Sequence, residues 1–83
     1  MLEKNGFEIV IASPPEYDNL VAEIYYNEKF VALVNQEGNL TRYELEFPGT
    51  DLLESEITRR VEWRDFKLTV DQACKRLSGD ISV

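Results

Sequence analysis

Histidine is absent from the chain. Its absence removes the usual general base and the commonest neutral metal ligand. A single cysteine, Cys74, excludes an internal disulfide framework. Small secreted domains usually need such staples, so a reducing compartment is expected. Long apolar runs are missing too: Met1-Leu2-Glu3-Lys4 leads into Asn5-Gly6, and no stretch approaches the length of a membrane span. The expectation is a soluble cytoplasmic protein without a membrane partner. With three prolines and four glycines, no segment reads as low-complexity.

Positive charge is scarce and unevenly placed. Residues 1–58 carry 12 acids and 3 bases, whereas residues 59–83 carry 4 acids and 6 bases, giving a net charge of −7. Direct binding of nucleic acid needs Lys and Arg to neutralise phosphates, so it is not expected. A basic protein, or one that itself binds nucleic acid, is the better partner. Surface acid that merely keeps a small protein soluble is the competing account.

What is present is enough for one domain. An 83-residue chain with 43% apolar residues and nine aromatics is expected to fold around a core one layer deep. GFEIVIA, Gly6 to Ala12, reads as a strand stopped by Ser13-Pro14-Pro15. LVAEIYY and FVALVN, joined by Asn27-Glu28-Lys29, form a hairpin. A two-residue turn would pair Tyr26 with Lys29 and Ile24 with Val31. A three-residue turn would pair Tyr26 with Phe30, Ile24 with Ala32 and Ala22 with Val34, and the pattern leaves both open. Both faces of FVALVN are apolar, which predicts a central strand covered at least partly on both sides.

Gln36 to Asn39 is expected to turn the chain, and LTRYELEF then alternates cleanly. Thr41, Tyr43, Leu45 and Phe47 lie on one face, and Arg42, Glu44 and Glu46 on the other. RRVEW, Arg59 to Trp63, reads as a short last strand with Val61 and Trp63 facing inward. From Asp65 the period changes: Phe66, Val70, Ala73, Cys74 and Leu77 make one helical stripe, with Lys75 and Arg76 in its last turn and Gly79 as its stop. Thr69 to Gln72 also matches a capping box, but a helix that includes Phe66 accounts for more of the stripe. The predicted architecture is α+β: an antiparallel meander of four to five strands with one C-terminal helix packed on one face.

Chemistry is sparse. Cys74 lies within the helical stripe with nothing to activate it and is expected to be an inert core residue. Phosphate-loop, CxxC and nucleophile-elbow signatures are missing. Asp51, Glu54 and Glu56 lack the spacing of a calcium loop, and Glu44 with Glu46 lacks a pocket. No catalytic residue, metal site or cofactor is expected, and the protein is not expected to be an enzyme. EFPGTDLLESEITRR, Glu46 to Arg60, reads as an acidic loop pinned by Leu52, Leu53 and Ile57. Arg59 and Arg60 would pair with Glu54, Glu56 or Glu62. One of Tyr25 and Tyr26 must enter the core, leaving the other on the outer sheet face near Glu23.

The run AEIYYNEKFVALVNQEG, then YELEFPG, then VEW before a basic amphipathic helix, resembles small bacterial immunity proteins. These are encoded beside contact-dependent growth inhibition and other polymorphic toxins. The resemblance spans about Leu20 to Leu77 and rests on structural positions: Ala22, Ile24, Phe30, Ala32 and Phe47-Pro48-Gly49. Asn27-Glu28 departs from the Asn-Gly or Asp-Gly that a two-residue turn prefers. The resemblance implies a cytosolic protein that binds and neutralises a cognate toxin domain, such as a nuclease with a basic surface. On that reading the candidate contacts are Glu37, Glu44, Glu46, Asp51, Glu54 and Glu56, with Tyr25 as an anchor. The alternative is a regulatory or structural module acting by self-association as a homodimer, or by docking a cellular protein.

Overall fold

The central hairpin satisfies both registers that the sequence leaves open. Asn27 and Glu28 have φ of 49° and 70°, the left-handed pair that makes a two-residue type I′ turn. Tyr26 therefore faces Lys29 and Tyr25 faces Phe30, but Ile24 faces Ala32 and Ala22 faces Val34. The register shifts between Tyr25 and Ile24, where Val31 is the extra residue of a β-bulge. The bulge changes which way the strand faces. Phe30 stays beside Tyr25 on one face, while Val31, Ala32 and Val34 all join the core on the other.

The computed structural model describes residues 6–39, 42–50 and 52–79. Its order is β1 (Phe7–Ala12), β2 (Val21–Tyr26), β3 (Lys29–Asn39), β4 (Arg42–Glu46), a 3-10 turn (Glu54–Glu56) and α1 (Trp63–Ser78). The strands form one antiparallel sheet in the order β1-β2-β3-β4. The helix packs on one face, mainly over β1 and β2, so the fold is α+β. The core between the layers holds Phe7, Ile9, Ala22, Ile24, Val31, Ala32, Val34 and Ala73. Phe66, Val70, Cys74 and Leu77 pack against it as the stripe requires, and Phe7 meets Tyr26 and Phe66 with ring centroids 4.9 and 6.3 Å apart.

Several expectations change. β3 continues through Asn39, so no turn begins at Gln36. Instead the ladder with β4 shifts between Asn35 and Asn39. There Asn35 Oδ1 accepts from the Glu37 amide, a local bond that competes with regular pairing. Leu40 and Thr41 lie outside the described residues. RRVEW is not a strand. Ile57 bridges the sheet, pairing in parallel with Phe30 while the Thr58 amide donates to Phe30 O at 2.9 Å.

The helix begins at Trp63, because the Glu62 carboxylate accepts from the amides of Arg64 and Asp65 at 3.1 and 3.0 Å. These bonds satisfy two of the orphan donors of the first turn. Thr69 does not cap a helix; it lies buried within one and donates its hydroxyl to Asp65 O. Gly79 ends the helix at φ 78°, with its amide bonded to Arg76 O.

Trp63 is 67% exposed rather than packed inward, and Leu53 is equally exposed. Ile57 is the buried anchor of the acidic loop, with Leu52 half-buried. On β4, Tyr43 packs against the core, but Leu45, and Phe47 just past the strand, remain 39% and 64% exposed. The helix axis favours β1 and β2, so the corresponding side of β4 is left open.

Candidate functional site

The face of the sheet away from the helix is built by strand alternation. Cross-strand pairing lines up Val10, Glu23, Leu33 and Glu46 in one row across all four strands, and Glu8, Tyr25 and Phe30 in the next. Neighbouring strands lie about 4.8 Å apart, so Leu33 sits between two carboxylates, one on each side. Tyr25 donates its hydroxyl to Glu23 Oε1 at 3.0 Å and meets Phe30 edge-on, with centroids 5.7 Å apart. Partial burial, and then the bonded Glu23 carboxylate, push the Tyr25 hydroxyl above its ordinary pKa.

The acidic loop closes one side of this surface. Leu52, Ser55 and Glu56 stand over Glu23, Tyr25, Glu28, Phe30 and Leu33, enclosing an open groove of about 570 Å³. Its floor is apolar and aromatic, its rim carries three carboxylates, and among the described residues no basic side chain lines it. Such a groove suits a cationic side chain with an apolar stem, which can lie on the aromatic floor and place its charge at the rim. A carboxylate that accepts one tyrosine hydroxyl keeps spare acceptor sites, so Glu23 is still available.

The residues singled out from sequence fall into separate places. Tyr25 and Glu56 line the groove, and Glu46 lies on β4 across from Leu33. Glu44 is exposed on the same face of β4, opposite Asn35. Glu37 instead holds the β1–β2 loop, accepting from the amides of Asp18 and Asn19 at 2.6 and 3.0 Å. Gln36 helps there through its bond to Leu20 O.

Glu46 is shared. It accepts from Asn35 Nδ2 and from the Tyr17 hydroxyl, tying the same loop to β4. Glu54 forms a two-point bond with Arg59 at 2.6 and 3.1 Å, which lowers the carboxylate pKa and raises that of the guanidinium. Asp51 lies outside the described residues.

Glu23, Glu28, Phe30, Leu33, Leu52 and Ser55 are the groove residues that the sequence reading does not single out as contacts. Glu23 was legible from its two-residue spacing to Tyr25. Phe30 was not, because its face depends on the turn length that the sequence leaves open, and the two-residue turn sets it beside Tyr25.

Cys74 is half-buried, and burial, with the nearby Asp71 charge, raises its thiol pKa. Among the described residues, no three acidic or cysteine side chains gather as metal ligands, and no helix is long and apolar enough to cross a membrane. The chain matches no family profile, no curated protein and no solved structure.

Proposed function

We propose that this chain is a non-catalytic binding module that captures a basic protein surface on its outer sheet face. The observation that carries the reading is the groove floored by Tyr25, Phe30 and Leu33 and rimmed by Glu23, Glu28 and Glu56. Negative potential concentrated there steers a cationic partner in, and the aromatic floor supplies contact area once it arrives. The catalytic alternative is weakened by what the carboxylates do. Glu37, Glu46, Glu54, Glu56 and Glu62 each accept hydrogen bonds from their own chain, in structural roles.

The resemblance to immunity proteins supplies the class of partner: a cognate toxin domain, made beside this protein in the cytoplasm, whose basic cleft the acidic face would occlude. The test uses the domain encoded at the end of the adjacent reading frame. Binding is measured by calorimetry, and protection by survival of cells expressing both proteins. Replacing Glu23, Glu28 and Glu56 together by lysine should abolish binding and protection while leaving the circular dichroism spectrum intact. Unchanged affinity in that folded variant would sink the assignment to this face. Absence of any binding by the wild-type protein would sink the toxin-partner reading itself.

A further inference from the structure

The open side of β4 carries a second surface, on the opposite face of the sheet from the acidic groove and independent of that reading. β4 is the last strand of the sheet, and the helix leaves Leu45 on its inner face exposed. Leu45, Trp63, Phe66 and Val70 line a shallow groove of about 130 Å³ between strand and helix. Val31, Phe47, Pro48, Val61 and Phe66 line a neighbouring one of about 300 Å³. Exposed Leu45, Phe47 and Trp63 therefore belong to one apolar flank beside a strand edge. A strand edge is a template for another strand, and contiguous apolar surface beside it marks an interaction site.

We propose that β4 pairs antiparallel with β4 of a second copy of this chain, about a two-fold axis through Glu44. The charge pattern of the strand can complement itself, which selects this occupant, and the use of the whole strand selects the register. Directly opposed residues in an antiparallel pair share a face, so the axis must pass through a residue position. Centred on Glu44, Arg42 of each copy opposes Glu46 of the other, and Tyr43 of each opposes Leu45 of the other. All five residues of β4 are used, with two opposite-charge pairs against one like-charge pair, Glu44 on Glu44.

The neighbouring centres are worse. A centre on Leu45 sets Glu44 against Glu46 twice and leaves Arg42 without a charge partner in the other copy. A centre on Tyr43 also makes two opposite-charge pairs, Arg42 on Glu44, but opposes only three residues of the strand to their counterparts and leaves Leu45 and Glu46 beyond them. Opposite-charge and apolar cross-strand pairs stabilise, and like charges directly opposed destabilise. The result is a continuous eight-stranded sheet, with the apolar flanks meeting on the helix side. Both acidic grooves then face the same way, so the dimer presents two binding sites to one side.

Sedimentation equilibrium of the full chain across the micromolar range tests this. A reversible rise from 9.6 kDa toward twice that mass is expected. Leu45→Asp and Arg42→Glu change exposed positions and should each return the protein to monomer. Adding Glu46→Arg to Arg42→Glu should restore the dimer, because the opposed charges are exchanged. Glu44→Gln should tighten it by about two- to five-fold, by removing the like-charge pair.

A monomer at every concentration overturns the proposal, as does a dimer that survives both Leu45→Asp and Arg42→Glu. Restoration by Glu44→Arg instead of Glu46→Arg overturns the register. Glu46 also holds Asn35 and Tyr17. If the double variant is unfolded by circular dichroism, the single variants decide the register together: loss of the dimer in Arg42→Glu excludes the Leu45 centre, tightening by Glu44→Gln excludes the Tyr43 centre, and any other pair of results overturns the register.

Discussion

The hydroxyl of Tyr17 lies 3.0 Å from both carboxylate oxygens of Glu46, a residue 29 positions further along the chain. The same carboxylate accepts from the buried Asn35 side chain, so one acid joins a loop, a central strand and an edge strand. Desolvation first, and then this bond and the Glu46 charge, raise the Tyr17 pKa from 10.0 to about 12. A neutral tyrosine donates and a tyrosinate cannot. The bond therefore stabilises fully below the unfolded value and is lost as pH rises through the folded one. Tyr17→Phe should lower stability by about 0.5–1 kcal/mol, the lower part of the hydrogen-bond range because the pair is exposed. Thermal melts of the two proteins should differ by a constant amount at neutral pH and converge between pH 10 and about 12. A difference unchanged at high pH would show that the hydroxyl is not the stabilising group.

The hairpin turn stores strain at a residue that also lines the groove. Glu28 holds φ of 70°, a left-handed conformation that glycine adopts freely. Glu28→Gly should raise stability by about 1 kcal/mol, since an L side chain costs roughly 1–2 kcal/mol there. It should also weaken capture of a basic partner, because one of the three rim carboxylates is gone. Chemical denaturation and calorimetry on the same variant read the two effects separately. Higher stability with unchanged affinity would remove Glu28 from the site.

The parts of this molecule that were legible in sequence are those set by local periodicity. Phe66, Val70, Ala73, Cys74 and Leu77 recur at helical spacing and do pack on the core. Tyr26 packs against Phe7 while Tyr25 stays on the outer face, as strand alternation demands. The bulge at Val31 was not legible, because a strand apolar on both faces carries no alternation to report a slip. Trp63 was misplaced because RRVEW has the β propensity of a strand. A glutamate is not among the preferred helix caps, so Glu62 gave no warning of the helix start. The roles of Glu37 and Glu46 depend on residues 18 and 29 positions away, which no local pattern encodes.

Burial separates two leucine-like positions that look alike in sequence. Ile24 is fully buried between sheet and helix, whereas Leu53 is 67% exposed. Ile24→Ala should cost about 2–5 kcal/mol from lost transfer energy and the cavity left behind. That is a large share of the roughly 4–12 kcal/mol available to a chain of this length. Leu53→Ala should stay within about 0.5 kcal/mol. Urea midpoints distinguish them, and a comparable loss at Leu53 would mean that the acidic loop is anchored by more than Ile57.

The start of α1 makes stability depend on acid in a predictable direction. Glu62 is held below the usual carboxylate pKa, first by the bond from the Arg64 amide and then by that from Asp65. Its contribution is therefore complete above the unfolded value of 4.5 and is lost as pH falls through the lower folded value. Glu62→Gln keeps an acceptor but removes the charge that favours a helix N-terminus. The variant should melt below wild type at neutral pH, and the gap should close as both proteins are titrated to acid. Because Phe66 lies in the first turn and packs against Phe7, fraying there should also loosen the core. The melting difference should be accompanied by a weaker near-ultraviolet aromatic signal. Equal melting temperatures at neutral pH would mean that Phe66, by packing on Phe7, sets the start of the helix without help from the Glu62 charge.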